Sequence, residues 1–254
     1  MRHVCMLAAM LVLIIGSAGA VRSAEIVRLV AGEGFYPQMF LERGQPRGYA
    51  IDIARAVLEE AGYDVHVEVL PWARAQIEML KHGAVITGVS KTQDRIDAGF
   101  LFTDIVFSDP TVLIAKAGTT MGFETAGDLH GLVVGIQRGA SYGPVFEAAR
   151  PHMIIEEDDS KEQRLRKIVA GRIDLGVFSG TGPAYLLFAS QSLGLSREEF
   201  KIFEKPLEFD LLHMAVSRDS PRADGMIEKL NSAIVKLTLD GTIERLHRAY
   251  GHGF

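Results

Sequence analysis

The chain has 254 residues, 48% of them hydrophobic, and a formal net charge of −5. That is enough apolar material for one large core or two small ones, and the acidic balance speaks against nucleic acid as a partner. Cys5 is the only cysteine, so beyond the first residues disulfides, thiol chemistry and cysteine-held metals are excluded.

Met1-Arg2-His3 is a short basic start, Val4 to Ile15 an apolar run, and Ser17-Ala18-Gly19-Ala20 a stretch of small residues. The run is shorter than the ~20 residues that span a bilayer, so residues 1–20 read as a cleavable signal peptide and the mature chain as a periplasmic protein starting near Val21. Strand-length apolar runs then alternate with helical patterns. Ile26–Ala31 is expected as a strand, Ala50–Ala61 as a helix, Val65–Leu70 as a strand and Ala73–His82 as a helix. A second series follows, with strands at Leu132–Ile136 and Leu175–Phe178, and helices at Tyr142–Ala149 and Lys161–Ala170. The second of these helices follows the capping box Ser160-x-x-Gln163. Leu211–Ser217 reads as a further strand, and Ala223–Leu239 and Thr242–Tyr250, the latter capped by Asp240, as closing helices. The alternation predicts an α/β protein with two largely parallel sheets rather than one.

Several segments in order carry a family resemblance. They are Phe35-Tyr36-Pro37, Gly48-Tyr49-Ala50-Ile51-Asp52, Ser90-Lys91-Thr92-Gln93-Asp94-Arg95 with Phe102-Thr103-Asp104, Gly135-Ile136-Gln137-Arg138-Gly139-Ala140-Ser141, Gly171-Arg172-Ile173-Asp174 and Asp240-Gly241-Thr242. Together they resemble the family 3 extracellular solute-binding proteins of ABC transporters, the polar amino-acid-binding group. The resemblance implies the type II periplasmic-binding-protein fold, with two α/β lobes joined by two hinge strands. It places lobe 1 at 25–107 plus 206–254 and lobe 2 at 108–205. It also implies a monomeric receptor that closes on a small polar ligand between its lobes and hands it to a membrane permease, without a cofactor or metal.

By the same resemblance Arg95 holds a ligand carboxylate through its planar two-pronged guanidinium; from spacing alone it is equally a surface arginine paired with Asp94 or Asp97. Ser90 is the family's hydroxyl donor, and Gly88 stands where serine is frequent, leaving a backbone N–H. Gly139-Ala140-Ser141 offers backbone N–H groups and the Ser141 hydroxyl at a predicted helix start, which is also what an ordinary N-cap looks like. Trp72, the only tryptophan, and Phe35 either line the cleft or pack in the core. Arg74 is a second positive group for the site or part of a solvated helix face. Two departures matter. The family's aspartate for a ligand α-ammonium falls on Ser179, five residues after Asp174. The expected ligand is therefore a small carboxylate or another polar ligand without a free α-ammonium, unless Glu33 or a ring such as Trp72 serves that ammonium. The segment from Gly83 to Ser90 is also about three residues shorter than the family pattern.

Two rivals remain open from sequence: an enzyme of dehydratase or lyase type on the same fold, and a periplasmic ligand sensor. No Ser-His-Asp order, Gly-x-Ser-x-Gly elbow or His-Glu-x-x-His helix is present. His247 and His252 are expected to face solvent, and His130 and His213 to be structural.

Overall fold

A computed structural model describes residues 25–180 and 193–250. Residues 1–20, read above as an export leader, lie outside them, as does His252. The first half runs β1 (Glu25–Gly32), a hairpin of β2 (Phe40–Glu42) and β3 (Gln45–Arg47), α1 (Tyr49–Glu60), β4 (Tyr63–Leu70), α2 (Trp72–His82), β5 (Val85–Ser90), α3 (Gln93–Asp97) and β6 (Phe100–Phe102). β1 lies parallel to β4 on one side and to β5 on the other. α1 buries Ala50, Ile51, Ile53, Ala54, Val57 and Leu58 along one stripe, the helical period that the sequence displays.

β7 (Phe107–Lys116) then crosses to the second lobe. That lobe comprises β8 (Val133–Gln137), α4 (Pro144–Ala149), β9 (Ile154–Asp158), α5 (Lys161–Val169), β10 (Leu175–Ser179) and β11 (Phe200–Ile202). The chain returns through β12 (Glu208–Ser217) and closes with α6 (Ala223–Leu239) and α7 (Thr242–Arg248), both packed on α1.

Each lobe has its own core. Leu29, Ile53, Leu58, Ile86, Met214 and Leu230 belong to the first. In the second, strand alternation sends Leu113 to one face of the sheet and Val112 and Ile114 to the other, so helices and loops cover both faces. Two separate sheets were expected. Instead the crossing strands pair with each other, Asp109 opposite Asp210 and Phe107 opposite Leu212, and join both lobes in one path: β4-β1-β5-β12-β7-β10-β8-β9.

A buried ion pair stiffens the second lobe. The Arg164 guanidinium meets Asp158 through two hydrogen bonds of 2.9 and 2.7 Å, with side chains 1% and 0% exposed. It lies against Gly135 and Gly176, where an added Cβ would stand 3.1 and 2.8 Å from the arginine stem. The same guanidinium reaches the Tyr142 hydroxyl, which accepts the Gln137 N–H and so fixes the loop that leads from β8 into α4.

Candidate functional site

The site forms where the loops at the strand ends of both lobes meet the crossing strands. Thr92 caps α3 by accepting the Arg95 N–H, which turns the Arg95 side chain inward. Arg95 is buried, and its Nη1 donates to Ser90 O at 2.7 Å while Nη2 reaches across to Gly139 O at 3.2 Å. Pro71, in extended conformation, starts α2 so that Trp72 is its first residue. The indole packs edge-on to Phe35 at 5.6 Å, lies 5.7 Å from the Arg95 guanidinium, and donates Nε1–H to the same Gly139 carbonyl at 3.0 Å. Both aromatics are buried: each belongs to the first core and also forms a wall of the site.

These groups surround a cavity of about 20 Å³. The first lobe contributes Phe35, Gln38, Trp72, Gly88, Ser90 and Arg95; the second contributes Ala140, Ser141 and Ser179; the returning strand contributes Asp210 and Leu212. Such a volume is about that of one water, so the two lobes are in contact over the site. Two larger surface cavities, of about 560 and 520 Å³, share Ser141 with it.

Of the residues singled out from sequence, Arg95, Ser90, Ser141, Trp72, Phe35, Ser179 and Gly88 line this cavity, and Gly139 supplies a carbonyl at its edge. Gly88 adopts φ +68°, open to glycine but strained for other residues, and a Cβ there would approach Met39 to 3.0 Å. The Ser141 hydroxyl is buried and has no hydrogen-bond partner among the described residues. Arg74 is elsewhere: its side chain is 64% exposed and pairs with Glu78 one turn along α2 at 2.9 Å.

The expected helix start at Gly139-Ala140-Ser141 is also corrected. Ala140 N–H bonds Gln137 O at 3.0 Å, and α4 begins only at Pro144. Its first N–H groups, of Val145 and Phe146, already donate to the Glu208 carboxylate at 3.1 and 2.7 Å. That carboxylate sits so close to Gly143 that a Cβ there would lie 2.4 Å from it. His247, expected to face solvent, is mostly buried, with Nε2 3.3 Å from the hinge carboxylate of Asp109.

Three polar residues escaped the sequence reading. Asp210 is buried and accepts the Ser90 hydroxyl at 2.5 Å; burial pushes its carboxyl up to about 7, against the pull of Ser90 and Arg95. The cavity therefore holds a carboxylate after all, on a strand where none was sought, while Glu33 is exposed. Gln38 donates to Asp109 at 2.8 Å. Lys161 is buried at the start of α5, with Nζ 3.4 Å from Tyr36 O and 3.5 Å from Ser179 O. One signal was available: Lys161, Arg164, Leu165 and Ile168 share the buried face of α5, so two cations stand on an apolar stripe. Burial pulls Arg95 down to about 10, with Asp210 and Glu147 opposing, which leaves it a cation at neutral pH. Among the described residues no cluster of three His, Cys, Asp or Glu is arranged to hold a metal.

Comparisons with known proteins agree with this architecture. An ABC transporter arginine-binding protein 1 of Escherichia coli (strain K12) is 27% identical over 206 residues, covering 78% of this chain and 79% of that protein. The arginine-, lysine-, histidine-binding protein ArtJ of Geobacillus stearothermophilus superposes with a TM-score of 0.72 at 17% identity, over 90% of this chain and 96% of that one. A histidine kinase sensor domain with similarity to periplasmic binding proteins gives 0.75 at 16% identity, over 90% and 97%. The model of the bacterial extracellular solute-binding proteins, family 3, matches residues 27–253, and the chain belongs to that family.

Proposed function

We propose that the protein is the periplasmic solute receptor of an ABC importer. It captures a small, carboxylate-bearing, amino-acid-like ligand between its lobes, closes by hinge motion, and delivers the ligand as a monomer to an inner-membrane permease. Residues 1–20 direct its export and are removed. Membership of the family and the transporter relative support the receptor role and the permease partner. Arg95 carries the ligand assignment: a buried guanidinium that already bonds one carbonyl from each lobe is placed to exchange those neutral acceptors for a carboxylate as the lobes part and re-close. Ser141 offers a neutral donor from the second lobe, the Ser90 hydroxyl serves the ligand once it turns from Asp210, and Trp72, Phe35, Ser179 and Gly88 complete the lining.

A thermal-shift panel tests the carboxylate. A ligand at 100 times its Kd adds about 2.7 kcal/mol of stability, which for a protein of this size raises Tm by roughly 5–10 °C. Free carboxylates in the panel are expected to produce such shifts and their methyl esters none. Equal stabilisation by acid and ester would overturn the assignment.

A further inference from the structure

Charge is unevenly spread around the cavity. At one end, Arg95 and Asp210 are linked through a single residue: the arginine donates to Ser90 O at 2.7 Å, and the Ser90 hydroxyl donates to Asp210 at 2.5 Å. A cation and a carboxylate so close together suit the α-carboxylate and α-ammonium of one amino acid, which are separated by a single carbon.

At the other end, behind the lining residues Phe35 and Ser179, lies the buried Lys161. Its ammonium lies 5.7 Å from the Phe35 ring, bonds the carbonyl of Ser179 on its own lobe, and bonds that of Tyr36 on the opposite lobe. Phe35 in turn packs against Trp72, and Trp72 against Arg95. The aromatic pair thus forms a wall with one cation at each end. A chain of methylenes laid along that wall from the Arg95 end would run toward Phe35 and Ser179, behind which Lys161 lies.

Resting on the receptor reading above, we propose that the ligand is an acidic amino acid. Its α-carboxylate meets Arg95, its ammonium meets Asp210, and its side-chain carboxylate is directed at Lys161. Two cations and one carboxylate in the protein face two carboxylates and one ammonium in the ligand. A ligand charge carried into a buried site is tolerated only when matched, and these three pairings give each ligand group an opposite charge. Burial, reinforced by Arg164, pulls Lys161 down to about 7 despite Glu162 and Asp109, and burial pushes Asp210 up to about 7 despite Ser90 and Arg95, so in both groups burial outweighs the opposite charge already nearby. A basic amino acid would instead bring a third cation to the Lys161 end.

Calorimetry on the purified protein with L-glutamate, L-aspartate, L-glutamine, L-arginine and glutarate decides the matter. One of the two acidic amino acids is expected to bind at least about tenfold more tightly than glutamine or arginine, the difference of one charge-assisted contact. Lys161→Met should reduce the acid-over-amide preference below about threefold, and Asp210→Asn should shift preference from glutamate toward glutarate. If glutamine or arginine binds wild-type protein as tightly as the acidic amino acids, the proposal falls while the receptor reading stands, and that comparison needs no variant to fold. If Lys161→Met leaves the acid-over-amide ratio unchanged, the lysine assignment falls. If no free carboxylate binds, both readings fall.

Discussion

Arg95→Ala removes more than a ligand contact. In the wild-type protein the guanidinium holds Gly139 O of the second lobe at 3.2 Å beside the Trp72 indole, which bonds the same oxygen at 3.0 Å. The truncation therefore deletes one of two donors to that carbonyl and, in the proposed complex, the charge-assisted partner of the ligand carboxylate. A desolvated contact of this kind contributes about 2–4 kcal/mol, a weakening of roughly 30- to 700-fold. Trp72 is the only tryptophan, so intrinsic fluorescence reads the site directly. It is 5% exposed when its N–H is engaged, and parting of the lobes should move its emission to the red. Arg95→Ala should shift the resting emission toward that of a more hydrated indole and flatten the ligand titration. Arg95→Lys, which keeps the charge but loses the planar fork, should fall between. An affinity within threefold of wild type, with an unchanged emission maximum, would refute the reasoning.

Asp158→Ala leaves the Arg164 guanidinium buried without its carboxylate and should destabilise the protein by about 3–5 kcal/mol in urea unfolding; a loss below about 1 kcal/mol would mean that the pair is structurally idle. Stability should also depend on pH through Lys161, held near 7 when folded against an ordinary 10.5. Between those values the unfolded chain binds the extra proton, so stability rises with pH, by up to about 1.4 kcal/mol per unit, and below about 7 the full cost of the buried ammonium remains. Asp210 acts in a lower window, keeping its proton in the folded state between 3.8 and about 7, so its contribution declines as pH rises to 7. Urea titrations at pH 7.5 and 9 should show wild type gaining on Lys161→Met, and parallel behaviour of the two would rule out the buried-lysine account.

Local patterns were legible where local forces decide. The stripe of α1, the span of α6 and the strand runs follow from periodicity, and Ser160 does accept the Gln163 N–H, although Gln163 answers to Asp159 rather than to Ser160. Asp240 likewise caps from one residue further out, accepting the Thr242 N–H while Gly241 takes the cap position. Arg74 was readable too, since Glu78 lies four residues on, the spacing of an exposed helical ion pair. What could not be read depends on distant register. Asp210 reaches Ser90 only because β12 pairs with both β5 and β7, and nothing near position 210 announces this. The late start of α4 is also tied to a distant strand: Glu208 fills the space beside Gly143 and takes the N–H groups of Val145 and Phe146, whereas the sequence pointed to the N–H groups of Gly139-Ala140-Ser141.

The unbroken ladder from β4 to β9 has a mechanical meaning. Lobes tied by loose linkers would swing freely, whereas here any rotation of one against the other must be absorbed as added or released twist in the two-stranded neck of β7 and β12. Neighbouring strands tolerate twists from about −10 to −35° without breaking their ladder, so the neck behaves as a torsion bar with a preferred angle and a restoring stiffness. Substitutions such as Pro110→Val or Phe209→Gly, which face each other across that neck and lie outside the cavity, would retune the spring and hence the ease of the proposed opening, while every cavity-lining group stays in place.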